Sequence, residues 1–400
     1  MIMRRVTALL AVLAIALAAC GGNGGATATE DPTSGGTDAP DPATGDCTIA
    51  VSWNNFQQPR WAAADQPNIK QVVEDAGGTY IEADANLSNE QQLTDISSLI
   101  SQGADVLILL AQDQNAVLPG LQEAQDNGIP VIAYDRLIEN EDILYITFNN
   151  VGVGEAQAAA ILEAVPEGTY VLIKGDPGDP NASTFLPQGW DDAGLKDKVD
   201  SGEITIFNGP DAGSGTWPDD YGTYTEAWDT QTAQENMEAI IDAANAEDVQ
   251  IDAILAENDS TALGVVAALE AKSYGFPPLS GQDGDPANLN NVALGKQYVD
   301  VWKNANELGK AAGQAAMQLC EGTAMADIEI DIDGSVAPTD GNSPTDFETP
   351  GGLTVASLIL QPTPLTAEDL DVVINAGWYA TKDDICAGVT ESDPGFEACQ

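Results

Sequence analysis

The chain of 400 residues contains no histidine, and it carries only 13 lysines and arginines against 64 aspartates and glutamates. Two of the basic residues, Arg4 and Arg5, lie in the first five positions, so Arg60 and Arg136 are the only arginines beyond them. These shortages exclude several functions. A net charge of −51 rules out nucleic acid as a partner, because gripping phosphates requires Lys and Arg to neutralise them. It also leaves no basic patch for anionic lipid head groups. With neither histidine nor a Cys-x-x-Cys pair, no metal and no cofactor is expected. The chain also lacks a Gly-x-Ser-x-Gly elbow, which weighs against hydrolase chemistry.

What is present begins with an export signal. Met1–Arg5 is basic, Val6–Ala19 is apolar but too short for a permanent membrane helix, and small residues precede Cys20. Leu17-Ala18-Ala19-Cys20 matches the bacterial lipoprotein pattern, so 1–19 is read as a signal peptide and Cys20 as the lipidated residue. Residues 20–46, rich in Gly, Thr, Asp, Ala and Pro, read as a flexible tether. The expected location is extracytoplasmic, with the lipid as the sole membrane contact. That compartment is oxidising, and Cys47, Cys320, Cys386 and Cys399 form an even set with three possible pairings.

From Cys47 onward, short β-branched runs alternate with amphipathic stretches. Strands are expected at 48–52, 80–84, 106–110, 131–134, 170–174, 204–208 and 253–256, and helices at 61–76, 90–102, 117–127, 153–164, 188–199, 231–246 and 260–271. This alternation predicts an α/β fold of parallel sheets covered by helices. The stretch 322–352, rich in Thr, Pro, Gly and Asp, breaks the rhythm. Within it Ile328, Ile330 and Ile332 alternate with acids, which predicts a strand with one wet face rather than a calcium loop lacking its terminal Glu.

Ligands of open parallel sheets bind at the carboxyl ends of the strands, so polar residues directly after apolar runs are the informative ones. They include Arg60-Trp61, Asp135-Arg136, Lys174, Asn181, Glu257-Asn258-Asp259 and Asp283. Planar bidentate groups with Trp61 and Trp228 available to stack suit a sugar's adjacent hydroxyls and its C–H faces. Taken singly each residue has a plainer reading. Asn258 or Asp283 serves equally well as a helix N-cap, a Trp as packing, and Asp135-Arg136 as a local ion pair.

Residues 48–385 resemble the periplasmic sugar-binding proteins of ABC importers, the xylose-binding ones above all. The resemblance rests on Arg60-Trp61, Ala133–Ile138, Tyr145–Asn150, Glu257–Ala262, Ser280–Asp285 and Val301-Trp302-Lys303. It implies two Rossmann-like lobes joined by a three-strand hinge, with crossings near 149–152, 300–303 and 356–361. The lobes would comprise 47–150 with 303–355, and 151–302 with 356–400. It implies that Arg60, Asp135, Arg136, Asn181, Asn258, Asp283 and Lys303 hydrogen-bond a monosaccharide, that Trp61 and Trp228 sandwich it, and that no bond is broken. With these lobes, disulfides 47–320 and 386–399 leave the hinge free. The expected ligand is D-xylose, taken up by a monomer and handed to an ABC permease. A sensory receptor using the same cleft, and a glycoside hydrolase using an acidic pair, are the alternatives. Departures from the family pattern are the tether, the segment 209–227, the loop 334–352 and the cysteine-bearing tail.

Overall fold

The computed structural model describes residues 47–210 and 214–400. The signal segment 1–19, Cys20 and the tether 20–46 lie outside the described residues. The apolar runs form β1 (Thr48–Trp53), β2 (Thr79–Asp84), β3 (Val106–Leu109), β4 (Val131–Tyr134), β5 (Leu144–Phe148), β6 (Gly168–Lys174) and β7 (Ile204–Ile206). They continue with β8 (Thr223–Tyr224), β9 (Ala253–Ala256), β10 (Ser280–Gln282), β11 (Val299–Trp302), β12 (Thr345–Glu348), β13 (Thr354–Leu360) and β14 (Thr363–Leu365).

The first lobe holds a sheet ordered β12-β13-β5-β4-β3-β1-β2, parallel throughout except for the edge strand β12. Its inner strands β3, β4 and β5 are buried at every position, as strands covered by helices on both faces must be. One face packs Val51, Ile108, Ile132 and Ile146 against Ile69 and Leu308. The other packs Leu107, Leu109 and Ala133 against Ile96, Leu99 and Leu121. In the second lobe β6 pairs with β9 on one side and with β7 and β8 on the other. A bridge from Ile254 to Leu279 leads on to β10, β11 and the antiparallel β14.

The chain passes between lobes three times, after β5, after β11 and between β13 and β14. The third passage corrects the expected boundary. Residues 356–360 belong to the first lobe, because β13 runs to Leu360 in register with β5 up to Phe148. The helix expected over 188–199 is two helices, Leu186–Asp192 and Leu195–Ser201, parted at Gly194. The helix at 61–76 opens with a wider π-turn, Trp61–Asp65, before Gln66–Asp75.

The segment 328–333 is not a strand of any sheet. Ile328 and Ile330 are buried as their alternation requires, but beside one bond from Ile330 N to the Asn342 carbonyl at 3.0 Å the backbone pairs with side chains. Gln318 and Gln314, on the helix Ala305–Cys320, each donate Nε2 and accept at Oε1, pairing with Glu329 (2.7 and 3.1 Å) and Asp331 (2.9 and 2.7 Å). One helical turn between two glutamines spans about 6 Å, close to the two-residue repeat of an extended chain. The helix therefore supplies the ladder that a neighbouring strand would have supplied.

Two disulfides, Cys47–Cys320 and Cys386–Cys399, each close within one lobe. One residue crosses between the lobes in another sense. Phe185, at the end of the turn Asn181–Phe185 in the second lobe, sits in the first lobe's core with Leu137 and Tyr145, its ring centroid 6.0 Å from that of Phe347.

Candidate functional site

The nine ligand candidates line one small cavity between the lobes. Gln58, Asp179 and Gln282 complete its lining. None of the twelve is more than 7% exposed. A wider surface groove bounded by Val165, Asp252, Tyr274 and Pro278 contains none of them.

Arg60 is the centre of the charge network. It directly precedes the π-turn, and Nε and Nη2 grip both oxygens of Asp65 at 3.2 and 2.9 Å. Tyr134 also donates to Asp65, at 2.5 Å. Burial raises the Asp65 carboxyl against the pull of Arg60. So fixed, the guanidinium reaches Asp135 at 3.2 Å and Asp283 at 3.1 Å, the latter in the opposite lobe. It also lies 4.2 Å from the centroid of the Trp61 ring. Lys303, at the second passage between lobes, stands 3.6 Å from both Asp135 and Asp283.

Burial alone would raise Asp135, but Lys303, Arg60 and Arg136 outweigh it and hold that carboxyl below the usual carboxylate range. It therefore stays an ionised acceptor. Asp135 and Asp283 both have backbone angles of positive φ, 62° and 107°. Non-glycine residues adopt that region at a cost and persist there when their surroundings over-determine them. At Asp135 the strand ends in a turn whose carbonyl accepts from Thr147 Oγ1 at 2.7 Å, which aims the carboxylate into the cavity.

Arg136 does not pair with its neighbour Asp135. Its Nε meets Asp179 of the second lobe at 2.9 Å, and Nη1 donates to the Ala111 carbonyl at 3.1 Å. Burial raises Asp179 against the attraction of Arg136. Asp179 in turn accepts from the Asn181 amide at 2.9 Å. Asn258 Oδ1 caps the helix Asp259–Ala271 by accepting from Thr261 N at 2.9 Å, and the residue also lines the cavity.

The two tryptophans stand both in a core and at the cavity wall. Trp61 belongs to the first lobe's core and Trp228 to the second's, and each lines the cavity. Trp61 is pinned by an Nε1 bond to Gln58 at 2.7 Å. Trp228 and Ala227 have φ of 57°, and Asp176 holds that turn by accepting from Ala227 N at 2.6 Å. A Cβ on Gly175 would lie 2.2 Å from the Trp228 ring, so the ring rests directly on that backbone. Trp228 Nε1, Asn181 Oδ1 and Gln282 Oε1 are buried without a hydrogen-bond partner, and such groups require one.

Other strand-end candidates lie elsewhere. Lys174 turns to the segment 209–227, donating to the Pro218 carbonyl at 3.1 Å and lying 4.0 Å from the Tyr224 ring centroid. Glu257 accepts from Gly175 N at 2.7 Å, and Asp259 accepts from Gly284 and Asp285. Of the residues missed from sequence, Gln58, Asp179 and Gln282 each stand within two positions of one that was found.

Comparison with known proteins gives this arrangement a lineage. Residues 49–324 match the family described as periplasmic binding protein domain. The D-xylose-binding periplasmic protein of Escherichia coli (strain K12) is 34% identical over 280 residues, 68% of this chain and 78% of that protein. The multiple sugar-binding periplasmic receptor of Rhizobium radiobacter is 29% identical over 69% of this chain and 78% of its own length. Among solved structures, an ABC transporter solute-binding protein from Clostridium phytofermentans with bound β-D-glucose is 30% identical. It superposes with a TM-score of 0.70 and covers 84% of this chain and 99% of that one. With two hinged α/β lobes enclosing a polar cavity, the chain belongs to the periplasmic binding protein domain family.

Proposed function

We propose that this protein captures a monosaccharide between its lobes and delivers it to an ABC permease, without breaking any bond. The observation that carries the reading is the cavity's chemistry. Arg60, Arg136 and Lys303 are each paired with carboxylates, so the site presents oriented donors and acceptors with little unbalanced charge. That suits a neutral polyol. Trp61 and Trp228 offer apolar faces for its C–H surfaces, and Asn181, Gln282 and Trp228 hold polar atoms that still lack partners. An ionised Asp135 beside three cations is an acceptor and a poor general acid.

D-xylose is the first candidate. It is the ligand named for the Escherichia coli relative, and a small cavity rejects a hexose for want of room for its hydroxymethyl group. Both lobes are divided at the same three passages, 47–150 with 303–360 against 151–302 with 361–400, and bonds from both walls to one ligand drive hinge closure. In this reading Cys20 carries the lipid and the receptor works as a monomer on the outer face of the membrane. Calorimetric titration with xylose, glucose, ribose, arabinose and galactose tests it. Saturable binding of xylose ahead of the others is expected, tighter glucose binding would replace the ligand, and no binding at all would overturn the sugar assignment.

A further inference from the structure

Asp283 carries a φ of 107° in the middle of the cavity wall, its amide bonded to the Val301 carbonyl at 3.2 Å, and part of what holds the turn after it comes from outside the matched family domain 49–324. Gly284, with φ of 85°, continues the turn. Asp259 Oδ2 accepts from both Gly284 N and Asp285 N, at 3.0 and 2.7 Å. The other face of the loop is gripped by the C-terminal tail. Trp378 Nε1 donates to the Gly284 carbonyl at 2.6 Å, and Tyr379 OH donates to Asp285 Oδ1. Trp302, the residue before Lys303, closes the remaining side. A Cβ on Gly284 would stand 2.4 Å from the Trp302 ring, and that ring meets Trp378 edge to face at 5.6 Å.

Resting on the reading of the cavity as a sugar site, we propose that Trp378 and Tyr379 are positioning residues, which hold the Asp283 carboxylate at the ligand from a tail that never touches it. Two hydrogen bonds from adjacent tail residues fix the carbonyl of Gly284 and the side chain of Asp285. Without them Asp283 relaxes out of its strained turn, and its bonds to Arg60 and the ligand lengthen together. Asp285 is faced by Asp283, Asp259, Asp300, Tyr379, Arg60 and Asp65. Burial and the charge of Asp283 push its carboxyl up to about 7, against the Tyr379 hydroxyl. Removing that hydroxyl moves the titration further up.

The test uses Trp378→Phe and Tyr379→Phe in the full chain, with Val372→Ala, on an exposed face of the tail helix Leu370–Asn375, as control. Two readouts are taken, xylose titration from pH 5 to 9 and amide hydrogen exchange of residues 282–286 without sugar. We expect each aromatic variant to bind about five- to tenfold more weakly, the usual effect of one lost hydrogen bond, with faster exchange at Gly284 and Asp285. In Tyr379→Phe the pH profile of affinity shifts upward, and the control behaves as wild type. Unchanged exchange and affinity would overturn the proposal, as would a lowered melting temperature with an unmoved pH profile and unchanged affinity. If the wild type binds no sugar, the exchange measurement still decides whether the tail holds the loop.

Discussion

At the residue scale, Arg60 decides whether the cavity can exist. Its guanidinium faces Asp65, Asp135 and Asp283 at once, and a lysine's point charge cannot reproduce that fork. Arg60→Lys leaves Asp65 buried without its bidentate partner, and we expect a loss of about 3–5 kcal/mol in stability, measured by urea unfolding, along with loss of sugar binding. Gly175→Ala isolates the aromatic wall instead. The new methyl collides with the Trp228 ring, and overpacking of about 1–3 kcal/mol is expected to appear as affinity weakened by roughly ten- to a hundredfold in calorimetry, with the fold intact by circular dichroism. Most of the candidates were legible because strand ends select themselves once the sheet is parallel, whereas Lys303 entered only through the family resemblance and Trp228 lies in the turn Glu226–Trp228. The sequence did not reveal that Arg136 would bond across the cleft to Asp179. Asp179 stands in a Gly- and Pro-rich loop whose path no periodicity predicts.

At the scale of elements, the apolar runs were legible wherever both faces of a strand are covered. The segment 328–333 departs from the expected strand because its burial and its backbone bonding have different sources. Alternation at Ile328, Ile330 and Ile332 reports that one face is buried, and it is. Alternation cannot report what bonds the backbone, and here glutamine side chains do. Replacing Gln314 and Gln318 together by Ala should remove four bonds to Glu329 and Asp331. With partly exposed bonds at the low end of about 0.5–1.5 kcal/mol each, a loss of about 2 kcal/mol is expected. Hydrogen exchange at the amides of 329 and 331 should rise while β13 stays protected. The helix break at Gly194 was missed because two short helices in line carry the same apolar spacing as one long one.

At the scale of the whole molecule, acid should stabilise this protein. Burial, with the neighbouring acids, raises Asp285 and Asp300 to about 7 and Asp259 well above its ordinary range. The folded state then holds more protons than the unfolded chain between about pH 4 and 7, so the stability these groups contribute is fully present below about pH 4 and is lost as pH rises through 7. The self-repulsion of a −51 chain acts in the same direction. Melting temperature should therefore climb from pH 8 to pH 5, and Asp300→Asn should flatten part of that slope. Phe185 has a consequence for thermodynamics in the absence of any ligand. Parting the lobes would pull its ring out of the pocket formed by Leu137, Tyr145 and Phe347 into water, at about 2 kcal/mol for a side chain of that size. The empty receptor is thereby biased toward its capture-ready shape, and observed affinity scales with the fraction already in that shape. Phe185→Ala should lower affinity by up to about thirtyfold and enlarge the radius of gyration of the sugar-free protein in small-angle scattering. The tightness of capture is thus set partly by an aromatic ring that lines no part of the cavity.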